Sequence, residues 1–168
     1  MVAHSTTLKI APTDTGCVIR VEGEGTMGQS PAAREVALNT LGADASAVVV
    51  FDLTACEYLD STFLGCLMDV YRRFGRTPPQ RYFIAADAET RKKLLGPTHL
   101  DRLIPTIDAP PATCGPWVTV RTQDLAPRDL TRHVMECHQA LADSECPMRG
   151  VFAKIVSHLE RELAKTPS

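Results

Sequence analysis

Apolar positions in this chain follow two periods, and the clearest change from one to the other lies at 47–74. Ala47–Leu53 (AVVVFDL) is apolar and Val-rich except for Asp52 near its end, the pattern of a strand buried on both faces. Thr54–Leu59 reads as a short connection. Asp60, Ser61 and Thr62 then offer three N-cap side chains, and Phe63, Leu64, Leu67, Met68, Val70, Tyr71 and Phe74 recur at helical spacing. The unit is buried strand, loop, helix. A helix start has unpaired N–H groups and a partial positive charge, which suits a phosphate.

Upstream, Thr7–Ile10 and Cys17–Glu22 flank Asp14 and Gly16 as a β-hairpin, and the partial alternation of Val18–Glu22 places that strand near a sheet edge. Gly23–Gly28 is a glycine-bearing loop. Ser30-Pro31 opens a helix through Val36, Ala37 and Leu41, ended by Gly42. Downstream, Arg81–Ala86 is a strand, Asp87–Leu95 a helix, His99–Leu103 a helical turn and Ile104–Ile107 a last strand. Strands alternating with helices predict an α/β sheet with helices packed on it. Three prolines in Asp108–Pro116 mark a linker, and Trp117–Val120 is extended and packed back on the domain. Two amphipathic helices follow, with stripes Leu130, Val134, Cys137, Leu141 and Val151, Phe152, Ile155, Val156, Leu159, Leu163. Such helices must bury those stripes on the domain, on each other or on another chain.

Composition narrows the function. The 168 residues hold 18 Lys and Arg against 20 Asp and Glu, a net charge of −2, and the basic residues are scattered, which argues against nucleic acid as a partner. No stretch approaches a membrane span and no leader pattern opens the chain, so a cytoplasmic location is expected. The six cysteines form no CxxC pair and read as free thiols. His133 and Cys137, four apart on a helix, have metal-ligand spacing but no four-ligand set, so no metal is assigned. No hydrolase triad motif, HExxH or P-loop is present, and the Gly23–Gly28 loop lacks the phosphate-loop lysine.

The segment Asp52–Gly65 (DLTACEYLDSTFLG) resembles the signature of the STAS domain of bacterial anti-sigma-factor antagonists. Asp52, Leu53, Asp60, Ser61, Thr62, Leu64 and Gly65 fit that signature; Thr54 replaces the usual serine; Cys56, Tyr58 and Leu59 fill its apolar places. Phe63 departs from it, standing where a small residue is usual. The resemblance implies a STAS-like mixed sheet with helices packed on it over 1–108. Residues 109–120 are then a Pro-rich linker with a short extended segment, and 121–168 a C-terminal helical extension outside the resemblance.

The same resemblance implies a non-catalytic anti-anti-sigma factor. Its serine is phosphorylated by a partner that is both kinase and anti-sigma factor, and ATP and Mg²⁺ belong to that partner. Carried over, Ser61 is the phosphorylation site, and Asp60, Ser61, Thr62 and Phe63 form the partner-binding switch, supported by Asp52 and Gly65. No cofactor of its own is expected. A phosphate would add about 1.5–2 negative charges at the helix start, tolerated by the helix but not by a partner fitted to a neutral hydroxyl. The plainer alternative is that Asp60 and Ser61 are caps worth about 1 kcal/mol. Two other functions stand beside the switch: a STAS scaffold subunit of a signalling complex or lipid transporter, with homo-oligomerisation through the C-terminal helices, and a small-ligand or nucleotide-binding protein or enzyme using the Gly23–Gly28 loop.

Overall fold

The computed structural model describes residues 6–122 and 124–165. β1 (Thr7–Pro12) and β2 (Gly16–Gly25) form the expected antiparallel hairpin, its turn held by Gly16 N–H donating to Thr13 Oγ1 at 3.0 Å. β3 (Val48–Asp52) lies parallel to β2, β5 (Tyr82–Ala85) parallel to β3, and β6 (Thr106–Ile107) parallel to β5. β7 (Val118–Thr119) adds antiparallel to β1, giving the mixed order β6-β5-β3-β2-β1-β7.

β2 is therefore an interior strand, not the near-edge strand expected. Val18, Ile19 and Val21 are fully buried, so its imperfect alternation reflects cover on both faces. Thr54–Leu59 is likewise more than a connection, because Cys56–Leu59 forms β4, parallel to Gly23–Gly25 of β2. Glu57 and Tyr58 are both exposed, which leaves β4 no alternation to read. Pairing there shifts register at Gly23, whose φ of 80° a side chain would resist.

One face of the sheet carries α1 (Ser30–Ala43), α2 (Ser61–Phe74) and α3 (Ala88–Leu94), with the short α4 (Leu100–Leu103) beside them. Ile19, Phe51 and Ile84 meet Ala37, Phe63 and Leu67 in this main core. On the other face Val18, Val50 and Ala85 are buried against Phe83, Ile107 and Trp117. The cover there is the 109–117 segment, laid across the sheet as a strap with residues 113, 115 and 117 half-buried between exposed neighbours. Cys114 N–H donates to Pro12 O at 2.8 Å, and the Trp117 ring lies 4.0 Å from the Arg20 guanidinium.

α5 (Pro127–Ala142) and α6 (Arg149–Lys165) pack antiparallel, Arg128 at the start of α5 donating to the Leu163 carbonyl at 3.0 Å. α5 folds onto α2 and α6 onto α5, and α5 reaches α1 through Ser30–His133 and Arg34–Glu136. The buried stripe of α5 is rotated from the expected one: Cys137 and Leu141 are in it with His133, His138 and Ala140, whereas Leu130 and Val134 are half-buried. α6 buries Phe152 and Val156 and leaves Val151 53% exposed. α2 is thus sandwiched, and every residue from Thr62 to Val70 is buried.

Trp117→Ala removes the strap's one aromatic anchor and its stacking on Arg20. Urea unfolding of this variant is expected to show a loss of about 2 kcal/mol, a half-buried share of the 3–5 kcal/mol typical of large aromatic truncations.

Candidate functional site

The site is assembled by two aspartates. Asp52, at the end of β3, is fully buried and accepts from Thr54 N at 3.0 Å, from the Thr54 hydroxyl, and from Arg20 Nε at 2.9 Å. It fixes the turn from β3 into β4. Asp60 follows β4 and caps α2. Its Oδ1 accepts from Phe63 N at 2.8 Å, its Oδ2 from Met27 N at 2.7 Å, and its own N–H donates to Gly25 O at 2.9 Å. One residue thereby ties the start of α2 to the β2–α1 loop.

Ser61 is the first residue of α2 and is half-buried. Its Oγ lies 2.9 Å from Nε2 of His138, on α5. His138 Nδ1 is 2.7 Å from the Val134 carbonyl, which can only accept, so Nδ1 carries the proton and Nε2 accepts from the serine hydroxyl. The imidazole is buried, with the Phe152 ring centroid 5.7 Å away. Gly65 explains how α5 comes so close: a Cβ there would stand 2.2 Å from the Cys137 carbonyl oxygen.

A second serine–histidine pair lies one helix over. Ser30 Oγ, fully buried at the start of α1, is 2.7 Å from His133 Nε2. Arg34 Nη1 approaches His133 Nδ1 at 3.4 Å and can only donate, so this histidine is the opposite tautomer and donates to the serine. Burial pushes the His133 pKa down to about 4, helped by the Arg34 charge and opposed by Glu136 and Asp69. Arg34 itself pairs with Glu136 at 2.8 Å and Asp69 at 3.1 Å. His133 and Cys137 are adjacent, Nε2 to Sγ 3.5 Å, but burial pushes the Cys137 thiol up to about 12, which suits a packed thiol and not a thiolate ligand. Among the described residues no group of three or more His, Cys, Asp or Glu is placed to hold a metal. All six cysteines are free, five buried and Cys114 exposed.

Of the four residues expected to form the partner-binding switch, Asp60 and Ser61 are half-buried and the other two are turned inward. Thr62 is buried. Phe63 is corrected outright: its ring is fully buried, edge-on to Phe51 at 6.2 Å and 89°, and cannot touch a partner. Tyr58, read as filling an apolar place, is instead 52% exposed, and Met27 is 46% exposed. These two apolar side chains flank the Asp60 junction in sequence and by hydrogen bond, and sequence reading missed both. It also missed His138, since nothing in the sequence signals a pairing across 77 positions. A cleft of about 480 Å³ opens beside Asp60 between Thr26–Gln29 and Asp124–Leu125. Its described lining includes the carboxylates of Asp60 and Asp124 and no Lys or Arg, a poor match for nucleotide phosphates.

A family model described as the STAS domain matches residues 7–110, ending before α5. Among solved structures the chain is similar to an anti-sigma factor antagonist from Mycobacterium paratuberculosis. The two are 27% identical with a TM-score of 0.52, covering 64% of this chain and 90% of that one. It also resembles the anti-sigma factor antagonist SpoIIAA in its unphosphorylated form, at 18% identity and a TM-score of 0.47, covering 63% and 90%.

The His133 environment sets a pH dependence. With a folded pKa of about 4 against an ordinary value of 6.5, the unfolded chain binds the extra proton first. The stability this neutral histidine permits is whole above pH 6.5 and is lost as pH falls towards 4. Between about pH 7 and 5, above the carboxylate range, the loss amounts to about 2 kcal/mol. The difference in urea stability between wild type and His133→Gln is expected to shrink by that amount over this interval.

Proposed function

The chain belongs to the STAS domain family, and from that premise we propose that it is a non-catalytic antagonist of an anti-sigma factor, switched by phosphorylation of Ser61. The observation that carries the reading is the placement of Ser61. It directly follows a doubly engaged cap, at the positive end of α2, on the family-matched domain. The similar chain from Mycobacterium paratuberculosis is itself an anti-sigma factor antagonist. Asp60 and Ser61, with Met27 and Tyr58 beside them, form the rim offered to the partner. Phosphate at Ser61 brings about 1.5–2 negative charges next to the Asp60 carboxylate, and a partner surface complementary to a neutral hydroxyl is repelled. The kinase activity, with its ATP and Mg²⁺, belongs to the partner.

Affinity capture from cytosol of the source cell, using the full chain as wild type, Ser61→Ala and Ser61→Asp, tests this. A kinase-like protein should be retained by wild type and Ser61→Ala and weakened at least tenfold by Ser61→Asp. Incubating it with the chain and Mg-ATP should place phosphate on Ser61 by mass spectrometry. A set of partners indifferent to both substitutions leaves Ser61 as a helix-start residue and overturns the reading.

A further inference from the structure

We propose that the face formed by the N-terminal turns of α1 and α2 is a helix-docking surface filled in cis by α5, and that the α5–α6 hairpin and the anti-sigma factor occupy it in turn. The choice of competitor rests on the function proposed above. The cis occupancy rests on geometry alone.

The switch serine is already engaged. Its hydroxyl donates to His138 at 2.9 Å, so a phosphate on that oxygen breaks this hydrogen bond. Modification of Ser61 therefore removes one of the bonds that hold α5 in place. The surface beneath α5 is built of small groups, with Ser30, Gly65 and Cys66 buried under it. At Gly65 the α5 backbone passes closer than any Cβ would allow. This is a shape complementary to a helix, and the structure shows which helix lies in it.

The contact is also of a kind that can open. The hairpin is joined to α1 and α2 by Ser61–His138, Ser30–His133, Arg34–Glu136 and Arg72–Asp143, and its Ala140, Leu141, Cys146 and Phe152 enter the main apolar core. Each of those polar groups recovers a water partner when the helix leaves, so separation costs less than exposing a purely apolar core. The tether before α5 has no regular structure among the described residues from Arg121 to Ala126. The occupant lies outside the family match and the surface lies inside it, so the docking face belongs to the shared domain and the cover is an addition to it.

Two full-chain variants release the cover by different means. Gly65→Ala puts a methyl against the Cys137 carbonyl while giving α2 a better helix former. His138→Ala removes the acceptor of the Ser61 hydroxyl and, if the first variant folds poorly, stands alone. Native-state hydrogen exchange should show α5 and α6 amides opening together in wild type, ahead of global unfolding. Opening should be more frequent by roughly fivefold in His138→Ala and more in Gly65→Ala, with β3 and β5 amides unchanged. Exchange of α5 and α6 only together with β3 and β5 means the hairpin is a fixed part of the fold, and overturns the proposal. In the second arm, affinity of the captured kinase-like partner should rise by the same factors. If exchange shows α5 released while that affinity stays constant, α5 is not the competitor; this proposal falls and the anti-sigma reading stands. If no partner responds to Ser61→Asp, the anti-sigma reading falls and with it the named competitor, while the exchange arm still decides whether the face holds a detachable helix.

Discussion

The site depends on one carboxylate holding two chain segments together. Asp60 accepts from Phe63 N at the start of α2 and from Met27 N in the β2–α1 loop. The cap alone is worth about 1 kcal/mol. Its larger effect is positional: it fixes where α2 begins relative to the β2–α1 loop, and so where Ser61 and Ser30 meet His138 and His133 of α5. Asp52 does the same one step earlier, setting the β3–β4 turn from a buried position paired with Arg20. Arg20 in turn carries Trp117 on its other side, so the strap across the far face is tied to the same chain of contacts.

The helical extension is fastened differently from the sheet-facing core. Between α2 and the sheet the contacts are aromatic and aliphatic, as in the perpendicular Phe51–Phe63 ring pair. Between α5 and the two helices beneath it, apolar contacts through Ala140 and Leu141 are joined by hydroxyl–imidazole and guanidinium–carboxylate pairs. Asp69 on α2 shows the cost of that choice: its Oδ2 is ion-paired with Arg34 and Arg73 but has no well-aligned hydrogen bond. An interface of this composition gains less from burial than a core of equal size, and its strength follows the protonation of groups such as His133.

The sequence by itself determined the local elements around the site. The Val-rich run at 47–53, the caps at 60–62 and the helical spacing that follows are short-range signals. They placed β3, the Asp60 cap and α2 correctly because strand period, capping and helix propensity act within a few residues. Sequence patterning misleads where distance enters. β2 reads as near an edge but sits inside the sheet, because β3, beyond α1 in the chain, pairs parallel to it on the side away from β1. Phe63 is assigned to the partner-binding switch by resemblance, yet the helix turns it onto Phe51, in keeping with its place in the apolar stripe. Tertiary structure alone decided what covers Ser61. The two amphipathic stripes announced that the extension must bury a face, but the choice among domain, partner helix and second chain depends on shape. A glycine at 65 admits the α5 backbone, and His133 and His138 find serines far away in sequence. Complementarity between surfaces is a property of the folded chain, and no period along the sequence encodes it.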